Sequence, residues 1–279
     1  MKTFLEVIPC GNVDEAILAK VDLWTRGLID PIDLRKVPSR ISIFLWERTQ
    51  DFEEFNAKEK AEVGVDTGGE SDFLATHEAW RGYPRIHIPL EKIKGIPEEV
   101  FQGIVLHEVG HALLHGNPEF YQFRFSIQLQ EAGRRAGLDL PMLHQLVYLL
   151  SVAIKDEEVI RLLIERGAGL YQSRLLEYLL VDTEEERQTW EKIRGHSALR
   201  LLGIAAFLKT RLPIEKMAES GAPKASLLIQ KWEAAYSWLT NQERTDLRTF
   251  ARFIIEIAFS NFQDRLEQAV LELIGKSSL

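Results

Sequence analysis

Apolar residues change their spacing along this chain, and the changes outline its elements. Between positions 100 and 114 they recur every three or four residues, at Val100, Phe101, Ile104, Val105, Ala112, Leu113 and Leu114, which predicts a helix. Gly95-Ile96-Pro97-Glu98-Glu99 reads as its start, with proline where no N–H is missed and two carboxylates at the positive end of the helix dipole. Gly116 and Pro118 stop it. Upstream the period shortens. Tyr83 to Leu90 alternates in twos between prolines, as suits an edge strand, and Ile41 to Trp46 is a second strand. Residues 61–65 and 73–80 are expected to add others around a Thr67-Gly68-Gly69 turn, and Asn12-Val13-Asp14 caps a first helix reaching about Gly27.

Downstream the pattern is helical throughout. Leu143 to Leu163 forms a long helix, Gly167-Ala168-Gly169 breaks it, and Leu170–Leu180 and a helix begun by Asp182-Thr183-Glu184 follow. Further helices are expected over Ser197–Leu212, Ala225–Leu239 and Asn241–Ile274, divided by Pro213 and Gly221-Ala222-Pro223. Trp232, Tyr236, Trp238, Phe250, Phe253, Phe259 and Phe262 are expected to build their core. The fold class is therefore α+β and predominantly α-helical: a small, mostly antiparallel sheet beside the helix at 100–114, then a helical C-terminal region. Gly195-His196 is the expected boundary, giving domains 1–195 and 196–279.

The chemistry lies at His107-Glu108-Val109-Gly110-His111. Positions i and i+4 share one helix face, so two imidazoles can hold one Zn²⁺, with the intervening glutamate beside them to act on a water held by the metal. The surrounding helix is apolar, so these polar groups need partners, and a metal is one.

His107 to Gly116, HEVGHALLHG, resembles the active-site helix of the zincin metallopeptidases, most closely small intracellular ones of the ImmA/IrrE kind. The resemblance covers one helix and its approach. It implies zinc ligands at His107 and His111, and Glu108 as general base. It also implies an edge strand above the metal helix that binds extended peptide. His87, on the strand expected there, is a candidate to reach the site.

A catalytic zinc needs a third protein ligand. His115 stands eight residues beyond His107, a rise of about 12 Å, so it serves the site indirectly, caps the helix or lies on the surface. Asp156-Glu157-Glu158 offers the better donor: the stripe Leu149, Val152, Asp156, Ile160, Leu163 puts Asp156 on the buried face, Glu157 at its boundary and Glu158 towards solvent. The expectation is Asp156 as third ligand, with Glu157 as alternative; a solvated charge run paired with Arg161 is the competing reading. Tyr148 and His144, on the same helix, are candidates to stabilise an oxyanion.

Composition narrows the setting. The chain has 279 residues, 46% hydrophobic, enough for a substantial core in one or two domains. A single cysteine, Cys10, leaves no internal disulfide, the N-terminus does not read as a signal peptide, and no apolar run reaches membrane-spanning length; a cytoplasmic setting is expected. Beyond residue 196 there are 11 Lys/Arg against 9 Asp/Glu, which leaves 23 against 33 before it. The acidic N-terminal part disfavours nucleic acid as partner. The expected function is a zinc peptidase acting on peptide or protein; the alternative is a non-catalytic, metal-stabilised regulatory or partner-binding protein, and a third is a latent peptidase covered by its own C-terminal helices.

Overall fold

Residues 4–30, 38–64, 73–180, 183–257 and 261–276 are described by a computed structural model. The Thr67-Gly68-Gly69 turn, Asp182 and Phe259 lie outside them. The α+β, mostly helical architecture is as expected. The chain forms two units, residues 1–120 and 121–279. Gly195-His196, the expected boundary, falls inside the second unit, as a turn between two helices.

The first unit holds strands β1 (Phe4–Cys10), β2 (Arg40–Trp46), β3 (Thr76–Glu78) and β4 (Arg85–Pro89) in the order β1-β2-β4-β3. β1 and β4 both run parallel to β2, and only β3 pairs antiparallel, with β4. The sheet is mixed rather than mostly antiparallel, because helices α1 (Glu15–Ile29) and α2 (Thr49–Val63) lie between successive strands, and such crossovers return the chain in the same direction. Residues 61–63, expected as strand, are the end of α2, which closes at Gly64 in the left-handed conformation. β4 is internal and fully buried; the edges belong to β1 and β3. Pro89 is tolerated because it ends the strand.

Register assigns the two faces. Ile41, Ile43, Leu45, Ile86 and Ile88 are fully buried on one, with His77 opposite Ile86. The other carries Phe44, Trp46 and His87, against Phe52 and Phe55 of α2. Helix α4 (Glu98–His115) follows a single turn of helix, α3 (Leu90–Ile93), and packs on the sheet at β3 and β4. Its other side meets α1, where Trp24 stands edge-to-face on Phe101 at 5.4 Å. Contact on both sides explains why α4 is apolar around most of its circumference. At its end, a Cβ on Gly116 would run into the Ala112 carbonyl oxygen and stand 3.0 Å from Cγ of Pro84.

The second unit is all helical among the described residues: α5 (Ile127–Arg135), α6 (Leu140–Glu165), α7 (Gly169–Leu179), α8 (Glu184–Ile193), α9 (Ser197–Glu219), α10 (Ala225–Ala235), α11 (Asn241–Glu256) and α12 (Phe262–Lys276). α6 and α9 make its most extensive seam. Pro213 does not end α9 but sits within it, and the stretch 241–274 is two helices. Trp232, Tyr236, Phe250 and Phe262 are buried as expected, while Trp238 and Phe253 are half-buried. Among the described residues no single helix is long and apolar enough to cross a membrane.

Candidate metal centre

Helix α4 brings His107 and His111 together. Their Nε2 atoms are 3.1 Å apart and their rings stand at 79°. An ion at the ~2.0–2.1 Å Zn–N distance from both would see them at about 98°, close to a tetrahedral angle. The two donors therefore fit zinc. His111 is buried and His107 half-buried, which leaves the pair approachable from the His107 side.

The far nitrogen of His111 is engaged as well. Its Nδ1 lies 3.2 Å from Nδ1 of His115, whose ring is fully buried with Phe120 edge-on at 5.1 Å. His115 is thus neither a cap nor a surface residue; it backs His111.

Glu108 has its side chain 13% exposed and meets a residue the sequence reading did not single out, His77 of β3. Nδ1 of His77 is 3.3 Å from Oε2 of Glu108, and its ring stacks on His111 at 4.4 Å with an interplanar angle of 4°. Burial works to raise the Glu108 pKa, but the imidazoles of His77, His111 and His107 outweigh it and hold the carboxyl below its ordinary range. His77 is not placed as a ligand, since in-plane lone pairs of parallel rings run side by side instead of converging. The only sequence signal for it was alternation: opposite Ile86, it must share the face that α4 covers.

His87 does not approach this site. It lies on the α2 face of the sheet, where its Nδ1 accepts from Trp46 Nε1 at 3.2 Å and its ring stacks on Phe44.

The acidic run on α6 belongs to the second unit, and its burial differs from expectation. Glu157 is the buried member, held by Arg265 at 2.7 Å, with Glu158 on the same guanidinium at 3.0 Å. Asp156 is half-buried. Glu157 is buried because α12 and α9 supply its countercharges, Arg265 and Lys216, whereas Lys155 is buried with its ammonium over the rings of Tyr121 and Phe262. Tyr148 and His144 are exposed on α6, and His144 stacks on Phe125 at 4.2 Å. No protein-family model, curated protein or solved structure matches the chain.

Proposed function

We propose that this protein is a zinc-dependent peptidase. One observation carries the reading: two imidazole nitrogens 3.1 Å apart on a buried helix, with a carboxylate between them in the sequence. Zinc would be held by His107, His111 and Asp156, a donor set of two imidazoles and one carboxylate that leaves a position free for chemistry. Asp156 is preferred to Glu157 because Arg265 occupies the Glu157 carboxylate. When bound, zinc supplies Lewis acidity, polarising a carbonyl and making a water more acidic.

Glu108 is the base. Its carboxylate, kept ionised by the surrounding imidazoles, takes a proton from the attacking water and passes it to the leaving amine. The half-buried His107 side gives peptide its approach, and the substrate is a peptide or protein rather than nucleic acid. A cytoplasmic setting accords with the single cysteine.

The test is hydrolysis of a mixed peptide library by zinc-loaded wild type and by Glu108→Gln, followed by mass spectrometry. Cleavage by wild type that the variant lacks supports the reading. Equal cleavage by both removes Glu108 as base, and none by either removes the peptidase.

A further inference from the structure

We propose that His77 is a positioning residue for Glu108, an inference that rests on the peptidase reading for its catalytic consequence but on geometry alone for the pairing. β3 is only three residues long and lies at the sheet edge, yet it delivers one imidazole to two groups at once. The flat of the ring covers His111 at 4.4 Å, and its Nδ1 reaches Oε2 of Glu108 at 3.3 Å. Stacking fixes the plane of the ring, and the plane fixes where an N–H on Nδ1 points. A glutamate side chain has three rotatable torsions, so a carboxylate without a donor on one oxygen would sample several positions. The Nδ1–H of His77 selects one of them.

This pairing is built from both elements. His77 faces α4 only because its register sets it opposite Ile86; a shift of one residue would turn it to the α2 face with Glu78 and His87. Both partners are largely withdrawn from water, each 13% exposed, so the donor is not easily replaced by solvent. In zinc sites the groups that orient the working side chains typically change activity by roughly 10–100-fold when removed. That is the size expected here.

Two substitutions separate the donor from the ring. His77→Phe keeps a flat ring to stack on His111 and deletes the donor. His77→Asn gives up the ring and places an amide N–H near the position of Nδ1. With the zinc-loaded full chain and a cleaved library peptide, His77→Phe should lose roughly 10–100-fold in kcat at unchanged KM and unchanged zinc affinity, and His77→Asn should recover most of the loss. Wild-type kcat in His77→Phe, or no recovery in His77→Asn, overturns the proposal.

A second measurement does not depend on activity. In long-range ¹H–¹⁵N spectra of ¹⁵N-histidine-labelled protein, assigned by the signals missing from His77→Phe, His77 should be in the Nδ1–H tautomer. It should shift towards Nε2–H in Glu108→Ala. An Nε2–H tautomer in wild type, or no response to Glu108→Ala, overturns the pairing. If wild type cleaves no peptide, the peptidase reading falls while this spectrum still decides the role of His77.

Discussion

Nδ1 of His115 lies 3.2 Å from Nδ1 of His111, both rings buried on one face of the same helix. One of the two nitrogens must carry the shared hydrogen. Nε2 of His111 faces His107, so a metal there leaves the proton of His111 on Nδ1, where it donates to His115. His115 therefore fixes the tautomer and the direction of a neighbour it resembles in sequence but not in role. Replacing it with Phe should keep the packing against Phe120 and weaken zinc binding roughly 10–100-fold, as read by competition with a chromophoric chelator. An unchanged affinity would show that His111 needs no such support.

Zinc should also stabilise the folded chain. At a concentration of about 100 Kd, a ligand bound only by the native state contributes about 2.7 kcal/mol. The expected outcome is a higher Tm with zinc, measured by calorimetry, and no rise in the His107→Ala, His111→Ala double variant. Asp156→Ala should show a reduced rise, and Glu157→Gln a full one at a lower baseline. A full rise in Asp156→Ala would exclude that carboxylate as ligand.

Acid sensitivity should have a source outside the metal helix, on α2. The Glu59 carboxylate on α2 is drawn from its ordinary 4.5 to about 2, first by hydrogen bonding to Arg81, against burial and with help from Arg85. A lowered native pKa contributes stability that is complete above pH 4.5 and fades as pH falls from there to about 2. Urea midpoints measured at pH 5.5, 4 and 3 should fall more steeply for wild type than for Glu59→Gln. Parallel profiles would contradict the assignment.

In the second unit, Gly203 of α9 lies against Trp190 of α8. A Cβ there would stand 2.8 Å from Cζ3 of Trp190, a buried ring held edge-on by Phe207. Gly203→Ala gains helix propensity but must displace that ring, so a net loss of about 1–3 kcal/mol is expected from urea unfolding. A stabilised variant would mean the indole yields freely.

Some of this was readable in the sequence for a physical reason, and some was not. α4 was legible because Pro97 and Gly116 punctuate a run of apolar residues at helical spacing. α2 was not: it buries little beyond Phe52, and its polar surface carries no periodic signal. β4 is legible as a strand but reads as an edge, since prolines flank it; what makes it internal is pairing with β2, about 40 residues upstream, on one side and with β3 on the other. Pro213 reads as a stop, yet packing of α9 along α6 carries the helix through it. At the site, His107, Glu108 and His111 declare themselves through spacing alone. His77 does not, because strand pairing 30 residues upstream of the motif decides where it points. The order of burial among Asp156, Glu157 and Glu158 was missed because it follows Arg265, more than 100 residues later.

Gly116 gives the metal helix an unforgiving end. What a methyl group would strike there is a main-chain oxygen and a proline ring, neither of which can swing aside as a flexible side chain would. Any larger residue must tilt the last turn of α4 bodily, and with it the rings of His111 and His115. The grip on an ion can thus be retuned from position 116, where the end of α4 abuts Pro84 just ahead of β4, without altering a single donor atom.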